Sequence, residues 1–139
     1  MGESCECLFC RIAQGHEPAR IVYETNSYLC LFPLHPEVYG HTLIISRQHH
    51  SDIRDCPTEL GTGLFAAAQS LFKLYEERIA ASGFNLLNAN GLSAQQSVGH
   101  LHFHFLPRFL DDRLDTWPSL PSVETDLDAL LKKLSSAGG

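Results

Sequence analysis

Over residues 58–82 apolar side chains return at steps of three and four: Leu60, Leu64, Phe65, Ala68, Leu71, Phe72, Tyr75 and Ile79. That period predicts one long amphipathic helix, entered after Pro57 and closed by Gly83. Elsewhere the runs are short. Arg20–Glu24 and Tyr28–Phe32 read as strands around a Thr-Asn-Ser turn, which is a hairpin signal. Pro33 and Pro36 turn the second run into a loop that Gly40 closes. Residues 41–46, with β-branched Thr42, Ile44 and Ile45, form the next strand, and 84–89 a fourth. A polar loop over 90–99 delivers the chain into a fifth. Residues 7–14 suit a short helix stopped by Gly15, and 125–134 suit another. Hairpins with a single long helix predict an α+β fold, a five-stranded antiparallel sheet with one long helix and short terminal helices, and argue against a doubly wound parallel sheet. The 139 residues are expected to form a single domain, with its core at about 7–109 and a C-terminal extension at 110–139.

Composition narrows the partners. Formal net charge is −6 with no long Lys/Arg cluster, which disfavours polymeric nucleic acid but leaves room for a small anionic ligand. No apolar run is long enough to span a membrane, and the N-terminus lacks the basic and apolar regions of a secretory signal. Met1-Gly2 resembles a myristoylation start, but Glu6 stands where Ser or Thr is required. A cytoplasmic protein is expected. The 5 cysteines, an odd number without an export signal, suggest reduced thiols or metal ligands rather than disulfides.

The densest chemistry lies in Gly-His-Leu-His-Phe-His-Phe-Leu-Pro over 99–107. In an extended strand His100, His102 and His104 share one face, while Leu101, Phe103 and Phe105 share the other. Three imidazoles on one face can supply a nucleophile, a proton carrier or metal ligands. Cys7-Leu-Phe-Cys10 is a two-residue-spaced pair that two further ligands would complete as a tetrahedral zinc site. His49, His50 and His100 are candidates, with His16, His35 and His41 less well placed, and Cys5 offers an alternative thiol. A metal site made by the three strand histidines themselves remains a rival.

Read with its flanks, the segment from Asn88 to Arg108 resembles the signature of the histidine triad (HIT) family: His-φ-His-φ-His-φ-φ (φ apolar), a Gly- and Gln-bearing loop before it, Pro-Arg after it. Cys7-Leu-Phe-Cys-Arg-Ile, Glu17-Pro-Ala, Val22-Tyr-Glu, Gly40-His-Thr-Leu-Ile-Ile and His49 fall in the family's order, so the resemblance covers about 7–109. It implies a hydrolase that cleaves purine nucleoside phosphoramidates or dinucleoside polyphosphates through a covalent nucleotidyl-histidine. His102 would be the nucleophile, with its tautomer set by the carbonyl of His100. His104 would stabilise the phosphoryl charge, and Ser97 would assist the leaving group. Leu8, Phe9, Ile12, Leu34, His35, Asn90 and Gln96 would join them in binding the nucleotide, and His41 would lie behind the triad. In the family's bacterial-type branch a structural zinc would take Cys7, Cys10, His49 and His100. The resemblance further implies a homodimer that joins its sheets.

His104 favours hydrolysis, because the nucleotidyltransferase branch carries Gln there. The branch that repairs adenylated DNA ends adds basic surface and a further zinc module, which this acidic chain lacks. Two departures stand out. Pro33 aligns with an Asp that holds the ribose hydroxyls, leaving His35 or nearby backbone for that task, and Gln95 replaces a loop Gly. A nucleotide-binding regulatory module with incidental turnover is the alternative of a different class. Other residues have plainer readings. Trp117 is an anchor for the tail, Cys30 and Cys56 are core or surface thiols, and His16 and His50 are surface residues. Asp111 and Asp112 are solvated charges, and Asp126 and Asp128 are charges at a helix N-terminus.

Overall fold

The computed structural model describes residues 7–116 and 118–137; Cys5 and Trp117 lie outside the described residues. The order of elements is α1 (Leu8–Ala13), β1 (Arg20–Glu24), β2 (Tyr28–Phe32), β3 (Thr42–Ser46), α2 (Glu59–Ile79), β4 (Gly83–Leu87), β5 (His102–Arg108) and α3 (Leu127–Ala137). Single 3-10 turns occupy Ile53–Asp55 and Leu92–Ala94. The strands form one antiparallel sheet in the order β1-β2-β3-β5-β4. The α+β expectation holds.

Side-chain alternation divides the sheet into two faces, both covered. Tyr28, Cys30, Ile44, Leu101, Phe103 and Phe105 meet Leu64, Leu71 and Tyr75 of α2. Leu29, Leu31, Leu43 and Ile45, on the opposite face, meet Phe9 and Ile12 of α1. Every residue of β3 is therefore buried, which explains a strand that is apolar without alternation. Cys30 lies wholly inside, where burial pushes its thiol up to about 12 and leaves it unreactive at neutral pH.

Some elements depart from the pattern read along the chain. Phe65 falls on the helical repeat but is exposed, whereas Leu64, Ala67, Ala68 and Leu71 carry the buried stripe. α2 ends before Gly83: Ala80 takes the left-handed conformation at φ 64°, because Ala81 must be buried and Ser82 N–H is claimed by Arg108 O at 2.9 Å. Gly83 instead opens β4. β5 begins at His102 rather than at His100, since pairing with β3 starts where His102 meets Ile45. α3 begins later than expected, at Leu127, where Asp126 Oδ1 accepts Ala129 N–H at 3.1 Å and so caps it. Asp112 is not a solvated charge. Arg108 grips both its oxygens at 2.8 and 2.9 Å, and holds Asn85, Thr116 and the Leu114 carbonyl as well. This knot ties the start of the C-terminal segment to β4 and β5, and it holds the Asp112 carboxyl well below the ordinary range.

Gly40 closes the loop between β2 and β3 for two reasons. Its φ is +82°, and a Cβ there would come within 2.7 Å of the Pro107 ring. Pro107 itself is tolerated because β5 pairs with β3 only as far as Phe105, so its missing N–H costs no rung there.

Candidate active site and metal centre

The histidine run splits into two environments. His100 precedes β5 and is fully buried, with Nε2 2.7 Å from the Ser46 carbonyl. A carbonyl only accepts, so Nε2 carries the proton and the Nδ1 lone pair points the other way. Nδ1 lies 3.3 Å from Cys7 Sγ, 3.5 Å from Cys10 Sγ and 3.2 Å from His49 Nδ1. His49 Nδ1 is in turn 3.7 and 3.3 Å from the two sulfurs. Zinc bonds of about 2.3 Å to sulfur and about 2.0 Å to nitrogen would give tetrahedral edges of about 3.5 Å for S···N and about 3.3 Å for N···N. The four donors lie on those edges, all within 4.8 Å of one another. Two thiols and two neutral imidazoles suit zinc, and burial pushes the His100 pKa down, which keeps its lone pair available. Cys7 also caps α1, its sulfur accepting Cys10 N–H at 3.3 Å.

His102 and His104 take the other environment. His102 Nδ1 lies 2.8 Å from the His100 carbonyl and must donate to it, so that in the neutral ring the lone pair is on Nε2. Behind His104 sits buried His41. Its Nδ1 accepts the Glu37 N–H at 3.1 Å, so Nε2 carries the proton and donates to His104 Nδ1 at 3.0 Å. His104 is thereby left with a donor at Nε2. One backbone amide thus sets two tautomers in series. Burial, together with the neighbouring histidines, pushes the His104 pKa down, and burial does the same to His41. Asn88, which the sequence reading passed over, donates to the His102 carbonyl at 2.8 Å.

A cleft of about 640 Å³ abuts this pair. Leu8, Phe9 and Ile12 of α1 line one side, and Leu31, Pro33 and Leu43 line the other. Of its lining residues, Phe9 sets its ring edge-on to His102 at 5.2 Å and Leu43 is the register partner of His104, while neither imidazole itself lines the cleft. Leu34 and His35 lie at its mouth, both exposed. Glu17, Arg20 and His35 are its charged or titratable lining residues, and Glu17 is already paired with Arg11 at 3.2 Å.

Two residues expected at the nucleotide, Asn90 and Gln96, are hydrogen-bonded within the protein. Asn90 accepts Ile53 N–H at 2.8 Å and donates to Asn88, which makes it a brace for the residue that holds His102. Gln96 accepts Gly91 N–H at 2.8 Å and donates to the carbonyls of Ser51 and Val98, so its side chain closes the loop upon itself. Ser97 beside it is exposed. Gln95 takes φ +68°, so the substitution for glycine occurs where the backbone is left-handed. Ser46, Asn88 and Glu37 were not legible as site residues, because each acts through a backbone group or a ring tautomer that only the fold brings near. His16 is exposed and Cys56 half-buried, in keeping with their plain readings; His50 is half-buried, its carbonyl accepting Leu101 N–H at 2.7 Å.

An antiparallel five-stranded sheet presenting a tautomer-locked imidazole pair beside an apolar cleft defines the histidine triad class. Residues 14–111 match the HIT domain, and the chain belongs to that family. An uncharacterized HIT-like protein of Methanocaldococcus jannaschii is 30% identical over 92% of this chain and 98% of its own length. The adenosine 5'-monophosphoramidase of Schizosaccharomyces pombe is 32% identical over 94% of this chain and 96% of its own. Among solved structures, a Zn-bound histidine triad family protein of Mycobacterium smegmatis superposes with a TM-score of 0.76 at 33% identity, covering 97% of this chain and 99% of that one.

Proposed function

We propose that this protein hydrolyses purine nucleoside phosphoramidates, or dinucleoside polyphosphates, through a covalent nucleotidyl-histidine on His102. The observation that carries the reading is the bond from His102 Nδ1 to the His100 carbonyl beside an apolar cleft. It leaves Nε2 as the attacking lone pair and disperses the positive charge the ring acquires once phosphorus is attached. Attack by Nε2 on the α-phosphorus forms the N–P bond as the P–N or P–O bond to the leaving group breaks, and the departing atom takes a proton. Water then cleaves the phosphoramidate, returning a neutral imidazole and a nucleoside monophosphate. His104 Nε2–H is the donor for the phosphoryl oxygens, placed by the His41 and Glu37 arm rather than by substrate. Phe9, Leu8 and Ile12 offer an apolar wall for a base. The relatedness to an adenosine 5'-monophosphoramidase supports the phosphoramidate reading.

Cys7, Cys10, His49 and His100 are the residues that would hold a zinc ion. It would supply structure rather than reaction chemistry: two thiolates and two imidazoles fill a tetrahedral shell and leave no open position for substrate. The three-histidine metal site loses ground, because His100 turns to the cysteines while His102 spends Nδ1 on a carbonyl. Homodimerisation is compatible with β4 at the sheet edge and with the exposed rings of Phe65 and Phe84. The test of the reading is intact-mass detection of a nucleotide adduct after rapid acid quench with adenosine 5'-phosphoramidate. An adduct in wild type that vanishes in His102→Ala supports it; an adduct retained in that variant refutes it.

A further inference from the structure

On the other side of the loop that joins β2 to β3 lies a second cleft, of about 500 Å³. The C-terminal end of α2 forms one wall through Leu74, Arg78 and Ile79, and the strand ends supply Arg20 and Phe32. Its size falls in the range of small-molecule sites. Two of its polar side chains are already committed. Tyr75 shares a hydrogen bond with Thr42 at 2.6 Å, and His41 is held between Glu37 and His104. What remains polar is the Tyr39 hydroxyl and two cations, Arg20 and Arg78; no carboxylate lines the cleft.

The arginines of this chain divide into paired and unpaired ones. Arg11, Arg47, Arg54 and Arg108 each pair with an Asp or Glu. Arg20 and Arg78, like Arg113 outside the cleft, have no ion pair or side-chain hydrogen bond among the described residues, although the chain carries a formal net charge of −6. Two uncompensated guanidiniums at the edge of an apolar concavity favour one kind of ligand. Its anionic group would meet the cations, and its body would displace water from Phe32, Leu74 and Ile79.

We propose that this cleft binds a small organic anion, an acidic head on an apolar body, at a site separate from the cleft beside His102. The two cavities share the ridge of Arg20, Phe32, Pro33 and Leu34, but Arg78 faces only the second and Leu8 only the first. That difference makes them separable. The probe is 8-anilinonaphthalene-1-sulfonate, followed by its fluorescence, with octanoate and inorganic phosphate as competitors. Saturable binding at one site per chain is expected, displaced by octanoate and not by equal concentrations of phosphate. Arg78→Glu is expected to weaken it by about tenfold or more, the loss of one charge-assisted contact. Leu8→Glu and Arg113→Glu, both at exposed positions outside the cleft, are expected to leave it unchanged. Affinity unaltered by Arg78→Glu, affinity lost in Leu8→Glu, or phosphate competing as well as octanoate would each overturn the proposal.

Discussion

His100 and His102 are two residues apart, carry the same side chain, and are both buried, yet they are fitted for different work. The difference lies in which ring nitrogen the backbone takes. The Ser46 carbonyl claims Nε2 of His100 and turns Nδ1 toward two thiols. The carbonyl of His100 claims Nδ1 of His102 and leaves Nε2 beside the cleft. A neutral imidazole has one donor and one acceptor, so fixing the donor fixes the chemistry of the other side. The two are also in series: the residue set against the two thiols is the one whose carbonyl orients the proposed nucleophile. Phe9 spans both, its ring edge-on to His100 at 5.7 Å and to His102 at 5.2 Å.

The largest expected effect separates the two histidines outright. His102→Ala should lower kcat/KM by about 10⁴-fold or more, roughly 5.5 kcal/mol of transition-state stabilisation, while zinc content stays at about one per chain and nucleotide affinity moves by less than about tenfold. Metal analysis, calorimetry of nucleotide binding and steady-state rates on one preparation decide it; loss of zinc in this variant would merge what the geometry keeps apart.

Next in size is the metal end. Cys10→Ser should lose the ion and destabilise the fold by about 3 kcal/mol, because binding energy at a structural site is folding energy. If the series connection is right, turnover falls too, since a loosened His100 no longer aims His102. A protein that loses zinc and keeps both its melting temperature and its kcat would break the connection.

The cleft end makes a sharper prediction about sugars. With Pro33 on its wall and Glu17 tied to Arg11, the cleft offers no free carboxylate to a ribose diol. Discrimination between adenosine and 2'-deoxyadenosine phosphoramidates should then be at most about 1–2 kcal/mol, one neutral hydrogen bond. A ribose preference above about a hundredfold in kcat/KM would show another group at work, and His35→Ala would then be expected to erase it.

A pH series tests the His41–His104 arm. Burial lowers both pKa values from the ordinary 6.5, so between the lowered values and 6.5 the unfolded chain binds more protons than the folded one. Stability therefore rises with pH across that window and is lost as pH falls through it. Urea unfolding from about pH 7.5 down to about pH 5 should show a shallower slope in His104→Gln than in wild type; equal slopes would place the titration elsewhere. The smallest effect is in the loop: Gln95→Gly should stabilise by about 1 kcal/mol, by relieving the left-handed backbone. An unchanged midpoint in the same unfolding experiment would mean that the residue is not strained.

Much of the fold was legible because strands and helices announce themselves locally. β1 and β2 were read to the residue, since a polar turn between two apolar runs bounds both ends. α2 was read to within a few residues at its end, where Ala80 rather than Gly83 takes the left-handed cap. The error has a physical source: the helix stops where Ala81 must be buried and Ser82 must pair with β5, and neither demand is written in the helix's own residues.

Sequence alone determined the periodicities, and with them the elements and which side chains share a face of β5. It also placed Cys7 and Cys10 one helical turn apart. Tertiary structure decided which nitrogen of each histidine carries a proton, because that depends on carbonyls and amides up to 54 residues away. It decided as well that Asn90 and Gln96 spend their amides on the loop and that Asp112 is held by Arg108. A hydrogen-bond partner is chosen by proximity in space, and the spacing of residues along a chain carries no record of it.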